Sequence, residues 1–143
     1  MKETLVYSLQ ELPLVVQKLK QLLKGYSVLT LVGSLGAGKT TLVKELLKEW
    51  GVKDRVISPT FTYMNQYENQ EGKSFYHFDL YRIKTLHDFM QAGFQDYLYQ
   101  PNSIAIIEWP EAIMPLLTKK ACHVELMYQD DPTKRAIVIN TDE

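Results

Sequence analysis

The chain has 143 residues, a length that fits one domain with a sizeable core. Its 45% hydrophobic and 23% charged content is that of an ordinary globular protein, and a formal net charge of -1 argues against strong autonomous binding to nucleic acid. With one cysteine, Cys122, no apolar run of membrane-span length and no signal-peptide core after Met1, the expectation is a cytoplasmic protein without membrane contact, internal disulfide or multi-cysteine zinc site.

Thr4 to Tyr7 reads as a short edge strand. Between Ser8 and Lys24, Leu12, Val15, Val16, Leu19, Leu22 and Leu23 recur at helical spacing. Ser8 and Glu11 have capping-box spacing, whereas Pro13 belongs at the first position of a helix, where its missing N–H costs nothing. Together they predict a first turn at Ser8, a regular helix from about Leu12 and a stop at Gly25. Val28 to Val32 is almost continuously apolar, the pattern of a strand covered on both faces. Gly33 ends it, and a helix from Lys39 to Trp50 comes next, with Leu42, Val43, Leu46, Leu47 and Trp50 turned inward and Gly51 as its stop.

Phe61 to Tyr67 and Ser74 to Phe78 are aromatic-rich and flank Glu68-Asn69-Gln70-Glu71-Gly72, which predicts a hairpin. Short helical pieces are expected over Thr85 to Gln91 and Gln95 to Tyr99. Ser103 to Glu108 is a second buried-type strand, ending in a carboxylate, and Pro110 and Pro115 limit the next segment to a short helix. Val124 to Tyr128 and Arg135 to Asn140 form a closing hairpin around Asp130-Asp131-Pro132. The predicted fold class is α/β, a single-domain sandwich over residues 1–143 with a mixed sheet and flanking helices.

Gly33-Ser34-Leu35-Gly36-Ala37-Gly38-Lys39-Thr40 satisfies G-x-x-x-x-G-K-[ST], and strand and helix flank it as that motif requires. Its glycines let the chain curl so that backbone N–H groups converge on one anion, and the helix after it adds its positive end. Lys39 is placed to reach β- and γ-phosphate oxygens, and the Thr40 hydroxyl to ligate Mg²⁺. Gly33, Leu35, Gly36, Ala37, Gly38, Lys39, Thr40 and Thr41 are therefore the expected ATP-binding residues. Such a loop needs a carboxylate at the end of a neighbouring apolar strand, holding Mg²⁺ directly or through water. Glu108 fits, after Ile104-Ala105-Ile106-Ile107. Asp79 fits too, although its strand, Phe75-Tyr76-His77-Phe78, looks more peripheral. His77 reads as a packed or hydrogen-bonded strand residue rather than a catalytic base, since nothing nearby orients it. The many tyrosines read as packing residues, because basic residues are not interleaved with them.

Four segments occur in order: Leu35-Gly36-Ala37-Gly38-Lys39-Thr40-Thr41, Ser58-Pro59-Thr60-Phe61-Thr62, His77-Phe78-Asp79-Leu80-Tyr81-Arg82 and Ile107-Glu108-Trp109-Pro110-Glu111. This set resembles the TsaE (YjeE) family, P-loop ATPases of bacterial tRNA threonylcarbamoyladenosine synthesis, from about Ser8 to Asn140. The resemblance implies an ATP-hydrolysing component that acts with TsaB and TsaD in modifying adenosine 37 of tRNAs reading ANN codons. Contact with tRNA would then be indirect, through the complex. It also implies Lys39 and Thr40 as phosphate and Mg²⁺ ligands, Glu108 as the Walker-B-like metal carboxylate, Asp79 as a second acidic residue and Thr60 in a switch-like loop near the γ-phosphate. Ser8, Glu111 and Arg135 would border the nucleotide. The family's usual acidic residue is replaced by Ser34 in the loop, and another is missing before Gly93, where Gln91 and Ala92 stand. Two rivals share the P-loop, a stand-alone small-molecule kinase and a non-hydrolysing nucleotide switch. The scarcity of arginines (Arg55, Arg82 and Arg135) speaks against the lid that such a kinase uses.

Overall fold

The computed structural model describes residues 1–34 and 36–141. Among these residues, seven strands form one sheet: β1 (Lys2–Ser8), β2 (Val28–Val32), β3 (Met64–Glu68), β4 (Ser74–Asp79), β5 (Ser103–Glu108), β6 (Ala121–Tyr128) and β7 (Lys134–Thr141). Three α-helices accompany them: α1 (Leu12–Leu22), α2 (Lys39–Glu49) and α3 (Leu86–Gln91). The order across the sheet is β1-β7-β6-β2-β5-β4-β3. β2 runs parallel to β6 and β5, and β5 parallel to β4, while the remaining pairs are antiparallel. This is the α/β architecture with mixed sheet and flanking helices that the sequence pattern implies.

The apolar runs reflect cover on both faces. On one face, Val15, Val16 and Leu19 of α1 and Leu42, Val43 and Leu46 of α2 pack on Leu29, Leu31, Ile104 and Ile106. On the other, α3 and two 3₁₀ helices (Phe94–Tyr97 and Glu111–Leu116) cover the β4–β5 half. Phe78, Phe89 and Phe94 meet there, with ring centroids 5.7–5.9 Å apart. The entry to α1 resolves the competing signals of Ser8 and Pro13. A 3₁₀ turn over Leu9–Glu11 comes first, the Ser8 N–H donates to the Glu11 carboxylate at 2.9 Å, and Pro13 falls within the first turn of α1.

Three expectations are corrected. The first strand of the central hairpin begins at Met64, not Phe61, because the preceding residues close a turn of their own. The Tyr63 N–H donates to the Pro59 carbonyl at 2.8 Å, Tyr63 takes φ 64°, and Phe61 is 80% exposed. β4 is not peripheral but interior, between β3 and β5, and buried from Phe75 to Asp79. Finally, β6 starts at Ala121, not Val124, because Cys122 and His123 also pair with Thr141 and Asn140 of β7 and Ala121 pairs with Val28 of β2. Among the described residues, no helix is long and apolar enough to cross a membrane.

Asn69 ties the β3–β4 turn to the end of α2. Its amide donates to the Trp50 carbonyl at 3.0 Å and its oxygen accepts from the N–H groups of Glu71 and Lys73. Asn69→Ala strands the buried Trp50 carbonyl, so it should cost about 1–3 kcal/mol. Urea unfolding should show a lowered midpoint with an unchanged slope.

Candidate nucleotide-binding site

The loop after β2 curls tightly against its neighbours. Gly33 lies at φ 152°, and a Cβ there would stand 2.7 Å from the Leu126 carbonyl oxygen of β6, so only glycine lets the chain leave the sheet at this point. Gly38, at φ 101°, caps α2 in the left-handed region. Ala37 is fully buried, and its N–H donates to the Ser34 carbonyl at 3.0 Å. Leu35, a predicted loop residue, lies outside the described residues.

Lys39 opens α2 and is only 6% exposed. Its Nζ donates to the Gly33 carbonyl at 2.6 Å and lies 3.8 Å from the centre of the Trp109 ring. Burial pulls its pKa below the usual lysine value, opposed by the charges of Glu108, Asp79 and, least, Glu111. The ammonium is thus held over a carbonyl and an aromatic face, both of which favour a cation.

Two of those carboxylates come from sheet register. β2, β5 and β4 pair in parallel with Leu31 opposite Glu108 and Glu108 opposite Asp79. The side-chain period of two puts Glu108 and Asp79 on the face that carries α2. Both are buried, at 3% and 8% exposure. Asp79 accepts from the Tyr81 N–H at 3.1 Å, and a Glu108 oxygen lies 2.6 Å from His77 Nε2. With Lys39, Thr40, Ser58, Thr60 and Trp109 they line a cleft of about 300 Å³. Thr60 is linked to Ser58 through their hydroxyls, 2.9 Å apart.

A second cavity, of about 190 Å³, opens on the other side of the loop and shares Gly36, Gly38 and Thr41 with the cleft. Its walls are apolar at Leu9, Leu12 and Pro132, with Tyr7, Thr133 and Arg135 adding polar groups. Arg135 stacks 4.6 Å from the Tyr128 ring centre and donates to the carbonyls of Pro132 and Lys134. Ser8 lies between two wall residues with its own N–H engaged by Glu11. Glu111 starts the 3₁₀ helix after β5 and bears on the site through its charge.

The family model described as "Threonylcarbamoyl adenosine biosynthesis protein TsaE" matches residues 6–137. The chain belongs to the TsaE family. Among its relatives, the tRNA threonylcarbamoyladenosine biosynthesis protein TsaE of Haemophilus influenzae is 38% identical, over 77% of this chain and 68% of that protein. The protein of the same name from Aquifex aeolicus is 41% identical, over 80% of this chain and 81% of its own length. The crystal structure of Bacillus subtilis YdiB superposes with a TM-score of 0.71 at 26% identity, covering 97% of this chain and 86% of that one.

As in a P-loop NTPase-type site, loop, lysine and carboxylates of this TsaE chain converge at the carboxyl ends of parallel strands. Sequence reasoning missed two participants. His77 is a hydrogen-bonded strand residue as expected, but the partner that orients it, Glu108, was not foreseen. The signal was its place two residues before Asp79, hence on the same strand face, but its partner stands on another strand. Trp109 was legible only as the neighbour of Glu108. It takes φ 57°, and its ring lies over Lys39. The aromatics are also interleaved with cations in space, if not in sequence: Arg82 stands over Phe61, Lys84 over Tyr81 and Lys119 over Tyr99.

The site's donors toward a cation are the Thr40 hydroxyl and two carboxylates. That oxygen set fits Mg²⁺, which takes one or two carboxylates and fills its remaining positions with water and substrate oxygens.

The direction of the Lys39 shift sets a pH dependence. Between its lowered folded value and the ordinary lysine value of 10.5, the unfolded chain binds the extra proton. Stability attributable to Lys39 therefore rises as pH rises through that window, and at neutral pH the buried charge opposes folding. Without nucleotide, Lys39→Met should melt no lower than the parent at pH 7, and its advantage should shrink toward pH 10.5.

Proposed function

We propose that this chain is the ATP-binding and ATP-hydrolysing component of threonylcarbamoyl transfer to adenosine 37 of tRNAs reading ANN codons. In this reading it acts in the cytoplasm with TsaB and TsaD, supports the turnover of that pair and meets tRNA only through it. The observation that carries the ATPase part is the row formed by Leu31, Glu108 and Asp79 beside the glycine loop. It sets two buried carboxylates beside the loop, where a cation held by them would offset the charge of phosphates bound there.

The chain's residues divide the work. Backbone N–H groups of the loop from Gly33 to Thr41 hold the phosphates, reinforced by the amino end of α2. Lys39 exchanges the Gly33 carbonyl for β- and γ-phosphate oxygens. Thr40, Asp79 and Glu108 would hold Mg²⁺, which when bound neutralises charge on those phosphates. Thr60, inside the Pro59–Tyr63 turn and on the wall of the cleft, lies toward the γ-phosphate and gives that loop a means of sensing the nucleotide. The cavity beside Tyr7, Leu12 and Arg135 receives the nucleoside, with Ser8 at its edge and Glu111 near the phosphates.

Hydrolysis by the isolated chain should be slow. Arg135 is engaged on Tyr128 beside the nucleoside cavity, Arg82 lies over Phe61, and no described arginine lines the phosphate cleft. A group stabilising charge on the γ-phosphate must then come in trans, which can be worth ~10³–10⁵ in rate.

Three experiments test this reading. Mg-ATP at a hundred times its Kd should stabilise the parent by about 2.7 kcal/mol in thermal melting, and Lys39→Met should lose most of that gain. Glu108→Gln and Asp79→Asn should retain nucleotide binding but lose Mg²⁺-dependent hydrolysis, non-additively when combined. Separately, phosphate release from ATP should be weak for the chain alone and rise when the TsaB–TsaD pair is added. Full activity alone with no response to the pair would remove the partner from the mechanism. Labelling of a metabolite in place of phosphate release would indicate a kinase.

A further inference from the structure

His77 has no place in the phosphate and metal scheme above, yet it is fully buried and contacts one of that scheme's acids. It stands on β4 two residues before Asp79, opposite Ile106 of β5, so its ring lies directly beneath Glu108 on the same sheet face. The Nε2–Oε2 separation of 2.6 Å is that of a short hydrogen bond. Its other nitrogen, Nδ1, is buried and has no hydrogen-bond partner among the described residues. A structural histidine is ordinarily satisfied at both nitrogens when buried. Here the ring is committed to Glu108 alone.

We propose that His77 is a positioning residue for the metal carboxylate: its Nε2–H fixes the Glu108 side chain so that one oxygen is held from below and the other is left for the cation. The inference rests on the Mg²⁺ role given to Glu108 above. Three features carry it. The contact is short and dry, so it costs little further ordering when the site is used. Placing the proton on Nε2 suits both nitrogens, since Nε2 then donates to the acid and Nδ1 is left as an unpaired lone pair, less costly to bury than an unpaired N–H. The geometry is also set by the parallel β4–β5 pairing rather than by a loop, which gives the carboxylate a rigid support. Asp79, the other acid of the row, receives a backbone N–H from Tyr81 in the same supporting role.

The test uses the full chain, with ATP and Mg²⁺ as the probes. Nitrogen NMR of the nucleotide-free protein should find His77 in the Nε2–H tautomer, and a proton on Nδ1 alone would overturn the proposal without any variant. His77→Phe keeps a ring but removes the donor, whereas His77→Gln returns a donor near the Nε2 position. Loss of such an outer-shell partner costs ~10–100-fold in metal affinity in comparable sites. The Mg²⁺ concentration giving half-maximal stabilisation by ATP should therefore rise ~10-fold or more in His77→Phe and recover most of the way in His77→Gln. Binding of ATP without Mg²⁺ should not change. In a Glu108→Gln background, His77→Phe should add no further shift. Unchanged Mg²⁺ midpoints would show that His77 serves packing only, and an additive shift in that background would show that it does not act through Glu108. The two readings fail separately: a parent chain showing no Mg²⁺-dependent stabilisation by ATP sinks the metal role of Glu108, whereas a normal parent with indifferent His77 variants sinks only this proposal.

Discussion

β2, β5 and β4 run the same way and pair without offset, so the residues at their carboxyl ends form a row. Everything in the site hangs from that row. β2 delivers the chain into the glycine loop, and α2 returns from it across the face that Glu108 and Asp79 share. A one-residue slip in either pairing would turn a carboxylate to the opposite face, among Phe78, Phe89 and Ile107. The register is held by apolar residues on both faces, so the core and the chemistry are specified together.

The site concentrates groups that a core ordinarily rejects. Lys39, His77, Asp79 and Glu108 are all buried. An unpaired buried charge is costly, and each of the four has a contact that lowers that cost. Lys39 has the Gly33 carbonyl and the Trp109 ring, Asp79 has the Tyr81 N–H, and Glu108 and His77 have each other. Of these four side chains, only His77 keeps a buried atom, Nδ1, without a hydrogen-bond partner among the described residues. In the proposed reading, a phosphate in the loop draws Lys39 from a carbonyl and an indole face, so Trp109 is disturbed with it.

The antiparallel half of the sheet contributes in a different way. β1 and β7 pair along their whole lengths, bringing Tyr7 beside Arg135. The turns next to these strands, Leu9–Glu11 and Asp131–Thr133, then wall the second cavity beside the loop. The glycine loop divides this cavity from the cleft and belongs to both. In the proposed reading, base and phosphates are handled by opposite ends of one short sequence, and the mixed topology is what supplies both sides.

Much of this was legible from residue order because the relevant signals are local. The glycine spacing before Lys39-Thr40, the apolar runs of β2 and β5, the carboxylate closing Ile104-Ala105-Ile106-Ile107 and the Ser8–Pro13 signals each depend on neighbours a few positions away. Backbone conformation and helix entry are set at that range. What tertiary structure decided was every relation between strands. The interior place of β4, the pairing of Asp79 with Glu108, the contact of His77 with Glu108 and the ring of Trp109 over Lys39 join residues separated by up to 70 positions. Such contacts leave no periodic mark on the chain. They exist because burial of the two sheet faces selects one strand order and one register, and that choice is made by the whole core at once.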